Sequence, residues 1–420
     1  MPKILIRSAR IIDANSPFDQ QKKDILIDKG VIVKISNKIT ADKSTKVIED
    51  KNLHVSPGWM DLRVDFAEPG HEYKEGILSG LDAAAYGGFT SVVVMPSTSP
   101  AIDNRSSVEF LKNRTNNHVV NLLPAGTVSV ERNGKELAEM YDMKQGGAVA
   151  FTDDKRSIPN NRLLFKALTY LQAFGGLIMD FPMDLDWVNE GQIHEGEVSA
   201  LVGMKGIPEE AEAMIVARDL SMLEYTGGKL HIGPISSALS VDLIRKAKKK
   251  GLSVTTETTQ HNIYLNDKTL LDFDSNFKLM PPLRDEKNKK ALLKGLSDGT
   301  IDVISSDHKP QDYDEKVLEF GRSSFGAIGL ETAFPISLMA TGDLDLTIDK
   351  LVSGPRKVLG IDIPVIKKGA PAEITIFDPK KNWEVSKDSL HSKSFNTPYL
   401  GKTLNGKAIG VIRDGKVFLA

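Results

Sequence analysis

The sequence predicts an α/β protein, a TIM-like (β/α)8 barrel with a small β-sandwich module built from both termini. Between residues 57 and 360, short apolar runs alternate with helical stretches, a pattern typical of parallel βα units. Before residue 57 and after residue 360, strand-like runs are separated by tight turns instead. We therefore expect residues 1–56 and 361–420 to form the β-sandwich module and residues 57–360 to form the barrel.

The terminal segments are predicted to pair as hairpin-forming strands. These strands are predicted over residues 4–6, 10–12, 24–27 and 31–35 near the start, and over 373–378 and 410–417 near the end. Gly30 supplies the tight turn between two of them, as glycine does in many hairpins. Because both ends have the same character, the barrel is expected to be inserted between the two halves of one module.

The barrel strands are predicted from apolar runs at residues 91–95, 148–151, 177–179, 229–232, 253–255 and 302–304. A closed eight-fold barrel is the economical arrangement of these units, and an open doubly wound sheet is the competing fold. No Gly-x-Gly-x-x-Gly string follows the first of these strands, which disfavours a dinucleotide-binding sheet. Catalytic side chains of such barrels lie where strands end, so the residues after each run form the candidate site.

The composition narrows the class of partner. The chain has 54 basic and 56 acidic residues and a formal net charge of -2, so it has no overall field to gather nucleic acid or an anionic membrane. It has no cysteine, which excludes disulfides and thiolate metal sites and suits a reducing compartment. The first residues lack the continuous apolar stretch of a signal peptide. We expect a cytoplasmic protein without a nucleic-acid or membrane partner.

Short strings at the predicted strand ends occur in one order along the chain. They include Pro57-Gly58-Trp59, Glu68-Pro69-Gly70, Gly87-Gly88-Phe89-Thr90, Phe151-Thr152-Asp153-Asp154, His194-Glu195-Gly196, Gly206-Ile207-Pro208, Pro281-Pro282-Leu283-Arg284, Asp298-Gly299-Thr300, Ser306-Asp307-His308 and Gly329-Leu330-Glu331-Thr332. In this order they resemble the dihydroorotases of the cyclic amidohydrolase superfamily. The resemblance implies a metal-hydrolase barrel and a place in pyrimidine biosynthesis.

The resemblance also implies a set of metal ligands, most of which are replaced. In the family, one or two zinc ions activate water for reversible hydrolysis of a cyclic amide. The family ligand positions correspond here to Arg63, Asp65, Phe181, Pro234, Asp307 and either Asp153 or Asp154, between which the sequence does not decide. Asp307 is also the family's proton shuttle, and we expect this catalytic position to be vestigial. Phe181 and Pro234 are identified by the resemblance alone.

Arg63 is expected to oppose metal binding. A cation about 4 Å from a dication is repelled by roughly 8 kcal/mol at an effective dielectric constant of about 20. We expect Arg63 to pair with Asp307 or Asp154 where the metal would lie. The alternative is a hard-oxygen site for Mg²⁺ or Ca²⁺, formed by Asp65 and the remaining carboxylates.

The positions that the resemblance assigns to substrate are also changed. The family holds the dihydroorotate carboxylate with an arginine, two asparagines and a histidine, and the matching residues here are Ala67, Ser97, Met280 and Gln311. Losing a bidentate arginine removes the strongest anion contact available. No substrate-binding position is expected to be intact.

Two functions follow from the resemblance. The first is a catalytically inactive homologue, a pseudoenzyme without a cofactor, that acts as a scaffold or partner subunit with aspartate transcarbamoylase and forms homo-oligomers. The alternative is an active dihydroorotase or another cyclic amidohydrolase, with zinc at an atypical site. His261 and His308 are expected to hydrogen-bond neighbouring loops rather than to act as general bases.

Overall fold

The computed structural model describes residues 3–115 and 117–420. The strands are β1 (Ile4–Ile11), β2 (Lys22–Asp28), β3 (Val31–Ser36), β4 (Lys46–Ile48), β5 (His54–Pro57), β6 (Trp59–Val64), β7 (Phe89–Val94), β8 (Asn121–Gly126), β9 (Ala150–Phe151), β10 (Ile178–Asp180), β11 (Ile193–His194), β12 (Gly206–Ile207), β13 (Leu230–Ile232), β14 (Val254–Thr259), β15 (Val303–Ser305), β16 (Ile374–Glu384), β17 (Thr403–Arg413) and β18 (Lys416–Leu419).

The helices lie mainly between the strands of the central region. They are α1 (Ile77–Tyr86), α2 (Arg105–Asn113), α3 (Met140–Gly146), α4 (Asn161–Gln172), α5 (Leu185–Val188), α6 (Glu197–Val202), α7 (Glu210–Thr226), α8 (Ala238–Lys249), α9 (Gln260–Tyr264), α10 (Glu286–Ser297), α11 (Tyr313–Lys316), α12 (Ala333–Thr341) and α13 (Leu344–Leu359). Within the described residues, no helix is both long and apolar enough to span a membrane.

Eight strands of the central region form one parallel sheet in the order β6, β7, β8, β9, β10, β13, β14, β15. The two outermost strands come together through a parallel bridge between Val64 and His308. The Asp65 amide donates to the His308 carbonyl across this junction at 2.9 Å. The sheet is therefore a nearly closed eight-stranded barrel, and the predicted TIM-like α/β fold is confirmed.

A second eight-stranded sheet joins the two ends of the chain. Its pairing order is β18, β17, β16, β5, β1, β2 and β3, with β4 paired to β1. Strand β16 runs antiparallel to β5, so that Ile376 pairs with Val55. The predicted strand-rich module built from both termini is thus confirmed. The division at residues 56/57 and 360/361 stays a prediction.

A bulge in β6 places Arg63 at the mouth of the barrel. Asp61 pairs with Val92 and Val64 with Val94, so three steps along β6 face two along β7. Bulges of this kind reorient side chains and are common beside functional sites. The Asp61 carboxylate accepts the Arg63 amide at 2.8 Å, which satisfies a backbone group that the bulge withdraws from the ladder.

Candidate functional site

Charged side chains from four barrel strands meet at the carboxyl ends of those strands. Arg63 lies at the end of β6, Asp154 follows β9, Glu257 lies within β14 and Asp307 follows β15. The first three side chains are 3% exposed or less, and that of Asp307 is 12% exposed. Charges this deeply buried are stable only when they are paired and hydrogen-bonded.

Arg63 makes three polar contacts that hold its guanidinium across the barrel. Its Nε donates to Glu257 Oε1 at 2.7 Å, its Nη1 to Asp154 Oδ1 at 3.2 Å and its Nη2 to the Gly233 carbonyl at 2.9 Å. Burial lowers its pKa, but the carboxylates of Glu257, Asp154 and Asp307 reverse the shift and raise it. Burial raises the pKa of Glu257, but the pairing with Arg63 lowers it by more, so the pKa lies below its ordinary value.

The structure places Arg63 against Asp154, one of its two expected partners, but not in an ion pair with Asp307. Asp307 is instead bonded to Lys155, whose Nζ lies 2.6 and 2.9 Å from its two carboxylate oxygens. Lys155 is also 2.8 Å from the Met280 carbonyl oxygen. Burial lowers the pKa of Lys155 and raises that of Asp307, and the attraction between the two groups opposes both shifts.

A third cation, Lys309, lies at the outer side of this cluster. Its ammonium is bonded to Asp65 and lies 3.9 Å from Asp154 Oδ2. Burial raises the pKa of Asp154, but the positive charges of Lys309 and Arg63 lower it by a larger amount. The pKa of Asp154 therefore lies below its ordinary value. The barrel-mouth network therefore contains three cations and four carboxylates: Arg63, Lys155, Lys309, Asp65, Asp154, Glu257 and Asp307.

The two neighbouring aspartates after β9 have different surroundings. Asp153 accepts hydrogen bonds from the amides of Val128 and Ser129 at 3.0 and 3.1 Å, and from the Ser129 hydroxyl. It therefore fixes the loop after β8. Asp154 has φ 55° and contacts Arg63, so Asp154 is the aspartate that faces the barrel mouth.

The other two replaced ligand positions lie against the same network without contributing donor atoms. The Phe181 side chain is fully buried, and the Lys155 ammonium lies 5.2 Å from its ring centroid. Such a cation over an aromatic face is stabilised by the ring quadrupole. Pro234 follows Gly233, whose carbonyl binds Arg63.

The four residues at the family's substrate positions are engaged in contacts within the protein. Ser97 Oγ lies 3.4 Å from Asp65, and the Ala67 amide donates to the same carboxylate at 2.8 Å. The Gln311 side chain accepts from Lys74 at 2.8 Å and donates to the Phe325 carbonyl at 2.6 Å. Met280 contributes the carbonyl that holds Lys155.

The histidines near the site contact other parts of the protein. His261 Nδ1 lies 3.0 Å from the Tyr399 hydroxyl, and His308 Nδ1 accepts the Gly329 amide at 3.1 Å. The expected loop contacts of both histidines are present. His231 is fully buried beside Thr255, with its Nε2 3.7 Å from Glu257.

The donors at the barrel mouth do not fit the zinc that the resemblance implies. Asp154 faces Arg63 and Lys309, Asp65 faces Lys309, and Asp307 faces Lys155, so each carboxylate already has a cationic partner. Across residues 3–115 and 117–420, no three His, Cys, Asp or Glu side chains are grouped to hold a metal ion. The same pairing leaves no free oxygen cluster for Mg²⁺ or Ca²⁺.

Solved structures with the same fold include hydantoinases. The chain superimposes on L-hydantoinase (dihydropyrimidinase) from Arthrobacter aurescens with a TM-score of 0.86 and 21% identity, covering 99% of this chain and 96% of that one. It matches D-hydantoinase (dihydropyrimidinase) from Thermus sp. with a TM-score of 0.83 and 21% identity, covering 99% and 95%. At this identity the likeness concerns the fold alone.

Comparison of sequences gives a closer relationship. The family model described as Dihydro-orotase-like matches residues 53–240. The dihydroorotase of Geotalea daltonii is 40% identical over 419 residues, covering 99% of this chain and 98% of the relative. That of Ruminiclostridium cellulolyticum is 40% identical over 411 residues, with 96% of each chain covered. This chain belongs to the dihydroorotase-like family.

Proposed function

We propose that this chain is a dihydroorotase-like protein of pyrimidine biosynthesis that does not hydrolyse dihydroorotate and serves as a scaffold or partner subunit. The observation that carries the proposal is the buried Arg63 guanidinium, which is bonded to Glu257 and Asp154 at the family's metal position. A zinc ion there would meet a fixed cation within contact distance. Water activation by a metal, on which the family's reaction depends, then has no place to occur.

The backbone conformation around the site supports the proposal that side chains were replaced while the loops kept their shape. Ala67, Asp154 and Asp307 have φ values of 58°, 55° and 48°. Non-glycine residues adopt this left-handed conformation rarely, and such residues tend to cluster at functional sites. All three residues are at family site positions. The loops thus keep the shape of a catalytic site, whereas the ion pairs occupy its centre.

A second candidate function is an active dihydroorotase or another cyclic amidohydrolase with an atypical site. It is favoured by the 40% identity to a relative named dihydroorotase over almost the whole length of both chains. On that reading Asp307 would move the proton, and burial raises its pKa, which is the direction that a general acid requires. Zinc would have to displace Arg63 or bind away from it.

The two candidates are distinguished by an assay with dihydroorotate and with carbamoyl aspartate, with and without added zinc. We expect turnover at the background rate in both directions, because no described residue replaces the missing nucleophile. The Geotalea daltonii dihydroorotase, purified in parallel, is the positive control. Turnover of about 1 per second or faster would place the chain among ordinary enzymes and refute the proposal.

The double variant Arg63→His/Asp65→His tests the same point from the other side. It restores the first two ligand types but leaves Phe181, Pro234 and the paired Asp307. We expect neither stoichiometric zinc nor turnover, because Phe181 and Pro234 still supply no donor atom at two ligand positions and Lys155 still pairs with Asp307. Zinc-dependent turnover by this variant would show that Arg63 and Asp65 alone block the reaction.

Aspartate transcarbamoylase is the partner that we propose for the scaffold, together with self-association into a homo-oligomer. The support is family membership and a barrel that is retained although most of its metal ligands are replaced. Purification from the native cell through a tag on this chain should recover aspartate transcarbamoylase in fixed stoichiometry. A complex that lacks that enzyme, isolated at low and moderate salt, would contradict the choice of partner.

A further inference from the structure

A large cavity lies outside the barrel-mouth network, between three segments that are distant from one another in the sequence. It encloses about 650 Å³ and is bounded by residues 273–276, 311–318 and 393–400. Sites for small organic molecules usually enclose about 300–1,000 Å³. Its lining does not include Arg63, Asp154 or Asp307, and of the site residues described above it contains only Gln311.

The wall of this cavity is an exposed apolar surface. Seven large apolar side chains that line it are between 37% and 71% exposed: Tyr73, Phe273, Tyr313, Val317, Leu318, Phe395 and Leu400. Single exposed apolar residues are ordinary, but a contiguous group of them marks a binding surface. Four of the seven are aromatic, which favours a ligand with flat faces.

Phe273 is held in a conformation that aromatic residues rarely adopt. Its φ is 56°, in the left-handed region, and it precedes Asp274, whose carboxylate accepts the Asn276 amide at 2.8 Å. The backbone strain is therefore accepted at a position where the ring remains 47% exposed. Strain of this kind persists where function or packing requires it.

Two neighbouring buried lysines, one of which lines the cavity, have no anionic partner. Lys316 lines it and is 6% exposed, and its Nζ lies 2.9 Å from the Ser324 carbonyl oxygen and 3.2 Å from that of Gly326. Lys278 is 2% exposed and contacts the carbonyls of Phe320 and Gly321 at 2.8 and 3.1 Å. Neither ammonium forms an ion pair with a carboxylate of the described residues.

Carbonyl oxygens offset only part of the cost of burying these charges. Burial, together with the neighbouring Lys278, lowers the pKa of Lys316 to about 7. Burial alone lowers the pKa of Lys278 to about 8. The carboxylates of Asp274 and Glu315 act in the opposite direction on Lys316 without making contact with it. A negatively charged ligand near these lysines would offset this effect of burial.

The geometry points to a binding site for a small aromatic molecule that carries one negatively charged group. The rings of Tyr313 and Phe273 would contact its flat body, and its charge would lie on the side of the cavity that Lys316 lines. Two further lysines, Lys387 and Lys393, line the same cavity, against the two carboxylates of Asp274 and Asp312. These four charges cancel, so the lining carries one net positive charge when Lys316 is protonated, and that charge is complementary to an anion.

The test uses 8-anilinonaphthalene-1-sulfonate as the probe and N-phenyl-1-naphthylamine as its uncharged counterpart. Fluorescence titration of the full chain should give one site for the sulfonate. We expect the variant Lys316→Met to weaken sulfonate binding by about tenfold and to leave the uncharged probe unaffected. The variant Tyr313→Ser/Leu318→Ser should weaken both probes.

Two controls keep the test decisive. Lys387→Gln changes a more exposed lysine of the same wall, so it tests the role of positive charge even if Lys316→Met does not fold. This variant should weaken binding of the sulfonate by about two- to fivefold. Tyr225→Ser removes an apolar ring that is 80% exposed elsewhere and should change neither probe. Equal binding of the two probes would overturn the proposal. So would a dimer, measured by sedimentation, that dissociates in Tyr313→Ser/Leu318→Ser, since a second copy would then cover the wall.

Discussion

Replacing Arg63 with methionine is expected to lower the free energy of unfolding by about 3–5 kcal/mol, the usual cost of removing one partner from a buried ion pair. The substitution leaves Glu257 and Asp154 in place, at 0% and 3% exposure of their side chains. Glu257 Oε2 already has no hydrogen-bond partner, so the loss of Arg63 leaves this carboxylate with only His231, 3.7 Å from its Oε1. Urea or thermal unfolding followed by circular dichroism measures the change.

The matched control removes an arginine that is exposed. Arg105 pairs with Glu109 at 2.7 Å, with side chains 48% and 44% exposed, and Arg105→Met should leave the free energy of unfolding nearly unchanged. The triple variant Arg63→Met/Asp154→Asn/Glu257→Gln should recover part of the loss, because it removes the stranded charges. An Arg63→Met chain as stable as the native one would show that the guanidinium does not neutralise the site.

The pH dependence of this destabilisation has a defined sign. In the native chain the pKa values of Glu257 and Asp154 are lowered, so these carboxylates contribute stability above their unfolded-state pKa values and lose it as the pH falls below them. Without Arg63, burial dominates and both groups take up protons more readily. The difference in stability between native chain and variant should therefore narrow as the pH is lowered towards 4.

The sequence was sufficient for the barrel but not for all of its strands. The alternation of apolar runs and helices predicted the parallel sheet, and most predicted strands lie within one or two residues of β7, β10, β13 and β15. Strand β8 was not predicted, because Asn121–Gly126 contains Pro124 and no β-branched residue. At the N-terminus, two predicted strands form the single strand β1, which continues through a bulge.

The sequence identified most residues of the site but predicted only some of the contacts between them. Glu257 was missed because the run around it was predicted to end at residue 255, whereas β14 extends to Thr259. A lone glutamate among threonines at the end of a barrel strand was the available signal. Lys155 and Lys309 were missed as partners, although each lies next to or near a retained aspartate. Which carboxylate a lysine contacts depends on the geometry of the loop, and local sequence patterns do not reveal that geometry.

The choice between Asp153 and Asp154 shows the same limit. The two residues are identical in type and adjacent, so composition cannot separate them. The structure separates them because the amides of Val128 and Ser129 hold Asp153, whereas the left-handed backbone at Asp154 directs it to Arg63. A distant loop therefore decides which carboxylate belongs to the barrel mouth.

The second large effect is a loss of stability on acidification that depends on His261. Its ring is 2% exposed and stacks on Tyr399 with centroids 5.6 Å apart. Burial lowers its pKa from 6.5 to about 3, with a smaller effect of the nearby Lys155 and His308 in the same direction. The folded chain thus keeps this imidazole neutral at a pH where the unfolded chain binds a proton.

The sign of the effect follows from proton linkage. Below pH 6.5 the unfolded state binds one more proton at this position, so the free energy of unfolding should fall by about 1.4 kcal/mol per pH unit until the folded-state pKa is reached. In His261→Gln this contribution is absent. The free energy of unfolding should therefore change less steeply between pH 6 and pH 4.5, by about 1.4 kcal/mol per pH unit, which corresponds to one proton.

Tyr399→Phe provides the matched control, because it removes the hydroxyl partner of His261 but keeps the ring that buries it. That variant should retain the native slope, since burial rather than the hydrogen bond lowers the pKa. Equal slopes for the native chain and His261→Gln would contradict the assignment. A histidine that stays neutral to about pH 3 cannot donate a proton near neutral pH, so a retained slope in Tyr399→Phe and a reduced one in His261→Gln would assign His261 to packing rather than to acid catalysis.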